Sequence, residues 1–201
     1  MVRHVALLYS VVLGPGRRVR MDDLRAMAEG LGFERVRSLV ATGNLVFDAP
    51  AADPRLLEQR LETAFAARFG RHVDIILRDS SRWRRLMAGN PFPDASLLAP
   101  DRVAVRVMRA PAGAGVLEAL GPYRSGDERM ALVDGDLWVH FPHGQGGSRL
   151  AAAMKPQRAG GPGTFRNWNT VRGIGAMLEA RKGSGAAAGA ESGEDAARAG
   201  C

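Results

Sequence analysis

The chain has 201 residues, 46% of them hydrophobic and 24% charged. That is enough for one large domain or two small ones around a real core, and too short for a repeat array. Its single cysteine, Cys201, excludes a disulfide scaffold and a cysteine-based zinc site and fits a reducing compartment. The net charge is +7, and all but two of the 28 basic residues are arginines, the lysines being Lys155 and Lys182; this skew reads as GC-rich coding bias, so charge alone is weak evidence for a nucleic-acid partner.

Arg3 to Leu13 reads as a buried strand. Gly14-Pro15-Gly16-Arg17-Arg18 follows it where a signal segment would carry a small-x-small cleavage site. No run reaches the roughly 18 apolar residues of a membrane span, so a soluble cytoplasmic protein with no membrane partner is expected. After the Gly/Pro/Arg loop, Met21, Leu24, Ala28 and Leu31 line one face at helical spacing, with Asp22 and Asp23 in the first turn and Gly30 and Gly32 at the end. Val36 to Val40 and Leu45 to Phe47 are short strands around the turn Thr42-Gly43-Asn44. Asp53 and Pro54 are N-cap and first residue of a second helix bearing Leu57, Leu61, Ala64, Phe65 and Phe69, stopped by Gly70. Val73 to Leu77 is a fourth strand, completing a βαββαβ order of the split-βαβ, ferredoxin-like kind.

The second half partly repeats this rhythm. Residues 80–88 read as a short helix stopped by Asn90-Pro91-Phe92-Pro93, and Val103 to Met108 as a strand. Val116 to Leu120 is helical, Met130 to Val133 and Leu137 to Phe141 form a hairpin around Asp134-Gly135-Asp136, and Ser148 to Met154 is a short helix. Asn167 to Arg181 is the last helix. The expected fold is α+β, two ferredoxin-like halves packed together, with residues 1–79 as the first, 80–182 as the second and 183–201 as a tail. The tail is alanine- and glycine-rich with no apolar period, and is expected to be disordered.

Charge is unevenly spread. No acid falls between Asp136 and Glu179, and the interval holds Arg149, Lys155, Arg158, Arg166 and Arg172 with Trp138, Phe141, Phe165 and Trp168. A basic stretch carrying aromatics suits an anionic partner; a solvated face over core aromatics gives the same pattern. Arg166, Asn167, Asn169 and Thr170 place a guanidinium and two amides at the expected helix start, chemistry suited to a phosphate or carboxylate, although Asn167 also serves as a plain helix cap. Ser148-Arg149 follows the glycine-rich Gly144 to Gly147 in a similar way, without the G-K-[ST] ending of a nucleotide-hydrolysing loop. Arg17-Arg18 in the first loop could track a phosphate. His140 and His143 lack a nearby carboxylate or thiol, Ser148 lacks a nucleophile elbow, and Asp134 and Asp136 read as turn formers, so neither a metal site nor a catalytic triad is expected.

Several short runs share one order and spacing: His4-Val5-Ala6-Leu7-Leu8, Leu24-Arg25, Gly32-Phe33, Thr42-Gly43-Asn44 with Val46-Phe47, Asn90-Pro91-Phe92-Pro93, and Thr164-Phe165-Arg166-Asn167-Trp168-Asn169-Thr170-Val171. In these the chain resembles the bacterial family catalogued as domain of unknown function 1697, over about residues 2–180. The resemblance implies two ferredoxin-like halves and brings no established reaction. It also exposes a departure. Where the family's first strand typically ends R-G-I-N-V-G-G, this chain has Tyr9-Ser10-Val11-Val12-Leu13-Gly14-Pro15.

Two functions follow. The favoured one is an anion-binding protein holding a phosphorylated ligand or nucleic acid on a basic face built from Thr42, Asn44, Ser148, Arg149, Arg166, Asn167, Asn169 and Thr170. The alternative is a small-molecule enzyme with Arg166 as anion clamp and Asn167 or Asn169 polarising the substrate. No cofactor is implied, and the sequence leaves the oligomeric state open.

Overall fold

The computed structural model describes residues 1–39 and 43–180. The proposed disordered tail and Thr42 therefore lie outside the described residues. The first sheet holds β1 (Val2–Leu8), β4 (Glu34–Ser38), β5 (Asn44–Ala49) and β6 (Ile75–Asp79) in the order β4-β5-β1-β6, with every neighbour antiparallel. The second holds β7 (Val103–Met108), β8 (Arg129–Val133), β9 (Asp136–His140) and β10 (Gly163–Asn167) in the order β10-β7-β9-β8, again antiparallel. In both sheets the third strand lies beside the first and the fourth closes the other edge.

Strand alternation gives each sheet two apolar faces. Ala6, Leu8, Leu45 and Phe47 face α1 (Met21–Gly30) and α2 (Pro54–Phe69), meeting Leu24, Leu57, Leu61 and Phe65. Ala104, Met108, Leu137 and Val139 face α5 (Gly115–Leu120) and α6 (Arg149–Ala153), meeting Val116, Leu120 and Leu150. The inner faces, with Val5, Leu7, Val46 and Ile76 on one and Val103, Val105, Val107 and Trp138 on the other, share a core with α3 (Ser80–Ala88) and α7 (Trp168–Glu179). The Trp83 indole is fully buried there and donates to the Val171 carbonyl at 3.1 Å, joining α3 to α7. The two sheets thus sandwich a pair of helices and carry another pair on each outer face.

Four elements differ from the sequence reading. The first strand stops at Leu8, because the Tyr9 N–H turns to the Asp74 carbonyl and Ser10 Oγ accepts from Val12 N–H, starting a turn. The expected loop is instead a small hairpin, β2 (Val12–Gly14) against β3 (Arg17–Arg18). An extra helix, α4 (Pro93–Leu98), follows the Asn90-Pro91-Phe92-Pro93 stop. Arg166 is not at a helix start: it lies in β10, paired in register with Val105, and α7 begins two residues later.

Asp136 is more than a turn former. Its carboxylate is buried, accepts from Met108 N–H at 2.7 Å and faces Arg78 at 3.4 Å, so it ties β9 to β7 and to the first sheet. The outer edge of β6 is covered in a similar way: Glu62 accepts from Ile75 N–H and Glu58 from Leu77 N–H, removing an open edge.

Candidate functional site

Arg166 is 7% exposed. Its alternation in β10 turns it toward the first sheet, where its guanidinium donates to Leu8 O at 3.0 Å, to Thr164 Oγ1 and Phe165 O at 2.7 Å, and to Asn44 Oδ1. These acceptors are neutral, and burial pushes the guanidinium down to about 10. Asn44 is fully buried and spends its amide N–H on the Leu39 carbonyl. The turn that presents Asn44 needs Gly43: its φ is +74°, and a Cβ there would meet Val11 Cγ1 at 2.7 Å and Leu8 Cβ at 2.9 Å. Arg166 and Asn44 are therefore brought together, as a clasp between the sheets.

The other expected site residues do not join them. Asn167 is the N-cap of α7, its Oδ1 accepting from Thr170 N–H at 3.0 Å and Thr170 Oγ1 at 2.9 Å. Asn169 is exposed and accepts from Arg172. Ser148 caps α6 and donates to Glu128 Oε1 at 2.6 Å, and Arg149 is exposed beyond it.

One face of Arg166 opens on a cleft of about 520 Å³ between the end of β1, the β2–β3 hairpin, the free edge of β10 and α6. Among the described residues its walls carry three guanidinium groups, Arg18, Arg106 and Arg166, and no carboxylate. Tyr9, Ser10, Val12, Thr164 and Gln145 are among its other lining residues.

Arg106 went unnoticed in the sequence, where it reads as one polar residue of a strand. The signal was its setting, a charge inside the apolar run Val103–Met108 and on the face shared by Ala104 and Met108. It is 3% exposed, donates one N–H to Gly161 O at 3.1 Å, and lies over the Phe165 ring at 5.8 Å. Its Nε has no hydrogen-bond partner among the described residues. Burial lowers its affinity for the proton, opposed only by the Tyr9 phenol. Gly163 packs closely against it: a Cβ there would lie 3.0 Å from Nε. A buried guanidinium with an unspent N–H is costly unless an anion completes it.

A second cleft, of about 400 Å³, lies at the opposite seam and is lined by Arg78, Arg82, Arg85 and Arg109 together with Asp134 and Asp136. Its charge is partly internal: Arg78 faces Asp136, and Arg109 pairs with Glu58, Glu62 and Asp74. The grouping of Glu62, His72 and Asp74 could geometrically hold a cation, but its two carboxylates already receive Arg109. No helix among the described residues is long and apolar enough to cross a membrane.

Fold and cleft together define a two-sheet α+β protein with a guanidinium-lined pocket at the seam of its sheets. The chain belongs to the family described as protein of unknown function (DUF1697), whose model matches residues 1–138. A solved structure with the same fold is that of the conserved bacterial protein SP0830 from Streptococcus pneumoniae. The two are 22% identical with a TM-score of 0.66, over 89% of this chain and 99% of that one. No curated protein matches the chain.

Proposed function

We propose that this is an anion-binding protein whose ligand is a small phosphorylated molecule held in the cleft between β1 and β10. The observation that carries the reading is Arg106, nine-tenths buried on the cleft wall with an unspent Nε–H. A buried donor favours a terminal phosphate that can enter a pocket over the phosphodiester track of a nucleic acid, which meets exposed cations. Of the residues expected from sequence, the proposal keeps Arg166, with Asn44 behind it, and Arg18 of the first loop, and adds Arg106. The matching strand orders support two ferredoxin-like halves, residues 1–79 and 80–182, and the basic face becomes the seam between the halves.

The test is titration with inorganic phosphate, read by calorimetry and by thermal midpoint, on the wild type and Arg106→Met. Phosphate should raise the wild-type midpoint. Arg106→Met should be at least as stable without phosphate, because it removes a buried charge, and should no longer respond to it. An equal response in both proteins would overturn the assignment. Tight binding of single-stranded RNA or DNA, with a log–log salt slope of several times about −0.7 per phosphate, would replace the small ligand by a polyanion.

A further inference from the structure

We propose that the ligand of this cleft is a nucleoside monophosphate, its phosphate against Arg106 and its base against Tyr9. This rests on the anion-binding reading and adds the class of the group that the phosphate carries.

The cleft is far larger than an anion needs. At about 520 Å³ it lies within the roughly 300–1,000 Å³ of small-molecule sites. The rest of the wall has a different chemistry from the guanidinium end. Tyr9 is 51% exposed and Val12 45% exposed. They are two of the six large hydrophobic residues that stand exposed among the described residues, and both line this cleft as well as a neighbouring hollow of about 200 Å³ beside Phe65 and His72. Exposed apolar side chains gathered on a concave wall mark a surface that a ligand covers.

The lip that carries them is held in place. Tyr9 N–H donates to Asp74 O at 2.9 Å, Val12 N–H to Ser10 Oγ at 3.1 Å, and Val19 N–H to Val11 O at 2.9 Å, so the ring and the isopropyl group stand on fixed backbone. Fixed aromatic walls take planar groups by stacking at low entropic cost. Gln145 lines the same cleft and carries an amide donor and acceptor side by side. That is the pairing that reads the edge of a base, and an aryl group without a polar edge would leave it unused. Ala151 and Met154 add apolar wall to the same cleft, suited to a sugar.

The experiment is calorimetric titration of the full chain at one salt concentration with inorganic phosphate, ribose 5-phosphate, the four common ribonucleoside monophosphates and their nucleosides. At least one nucleotide should bind tenfold or more tightly than ribose 5-phosphate, and no nucleoside should bind measurably. Tyr9→Ala should reduce the ratio of nucleotide to ribose-phosphate affinity to within about twofold of unity, while Tyr9→Phe, which keeps the ring, should retain it. Tyr9 is half exposed, so both variants should keep the wild-type thermal midpoint. If ribose 5-phosphate and every nucleotide bind equally, the base is not recognised and this inference falls while the anion site stands. If neither inorganic phosphate nor any ester binds, the anion-binding reading falls with it.

Discussion

Arg78 and Arg166 hold corresponding places in the two sheets. Each is the fourth residue of its sheet's last strand, and each precedes a helix N-cap, Asp79 for α3 and Asn167 for α7. Each reaches into the opposite sheet, donating to the carbonyl that ends the first strand, Met108 for Arg78 and Leu8 for Arg166. Each also meets the polar residue that opens the third strand, Asp136 for Arg78 and Asn44 for Arg166. The backbone repeats as well: Tyr9 N–H donates to Asp74 O just as Arg109 N–H donates to Pro162 O, both at 2.9 Å. A chemical difference between the seams lies at this contact: Asn44 presents an amide oxygen to Arg166 where Asp136 presents a carboxylate to Arg78.

Asn44→Asp should erase that difference. At the corresponding position burial pushes the Asp136 carboxyl above its usual range despite Arg78 and the Met108 N–H, so the introduced carboxylate should be raised as well. A carboxyl raised in the folded state lowers stability once pH exceeds its unfolded value of about 3.9. The variant should therefore lose about 1–2 kcal/mol relative to wild type at pH 7, and the gap should narrow as pH falls toward about 4. Phosphate affinity should drop about tenfold, a coupling of about 1.4 kcal/mol. Urea unfolding at the two pH values and one titration check both parts; unchanged phosphate affinity would mean that charge at this clasp does not reach the cleft.

Arg166→Ala tests the clasp directly, because the guanidinium sits in β10 and not at a helix start. Truncation strands Asn44 Oδ1, Leu8 O and Thr164 Oγ1 in a buried seam. A loss of at least about 1–3 kcal/mol is expected, the scale for a buried neutral acceptor left without its donor. A thermal midpoint within a degree or two of wild type would contradict the clasp.

The parts of the fold that were legible in sequence are those with local grammar. Asp53 accepts from Arg55 N–H, Pro54 opens α2 and Gly70 closes it at φ 72°, as that spacing implies. Ser80–Ala88 and Val103–Met108 also fall where periodicity puts them. β10 was hidden because Gly160 to Gly163 read as loop and the remaining Thr164 to Asn167 are too few to alternate visibly. The cleft was legible only in fragments. The Tyr9–Val12 departure, the Arg17-Arg18 loop and Arg166 each stand out separately, and only tertiary packing sets Tyr9, Val12, Arg18 and Arg166 around one cleft. Arg106 had no local signal beyond a charge in an apolar strand. Trp168, read as core, is partly buried and packs on Trp138 at 5.9 Å, while the central tryptophan is Trp83.

His4 gives a pH dependence of known sign. It is 3% exposed on β1 beside Phe47, neither ring nitrogen has a hydrogen-bond partner among the described residues, and burial holds it below its usual range against the pull of Asp79. The unfolded chain takes up a proton below about pH 6.5, and the folded chain does so only at lower pH. Protonation therefore favours unfolding: the contribution is present above the unfolded value and is lost as pH falls. Between about pH 7 and pH 5 wild-type stability should decline by up to about 1.4 kcal/mol per pH unit from this group. Denaturant unfolding of His4→Leu should show a shallower decline, with the His140 contribution, of the same sign, left in both proteins. Parallel curves would place the titration elsewhere.

The first-strand departure supplies the last prediction. In the family that this chain resembles, arginine and asparagine stand where it has Tyr9 and Val12, and a strand-core position would make their restoration ruinous, since it would bury an unpaired charge. The two residues are half exposed on the cleft instead. Tyr9→Arg with Val12→Asn should then shift stability by no more than about 0.5 kcal/mol, the usual range for surface changes. It should also bring a fourth guanidinium to the wall that holds Arg18, Arg106 and Arg166. A charge-assisted bond is worth about 1.5–3 kcal/mol, so inorganic phosphate should bind about tenfold to a hundredfold more tightly. The stacking ring is lost in the same variant, so the advantage of a nucleotide over ribose 5-phosphate should shrink even as phosphate binding improves. Unfolding, phosphate titration and the nucleotide ratio are read on one protein. A stable variant whose phosphate affinity does not rise would show that these two positions face the cleft without contacting its anion.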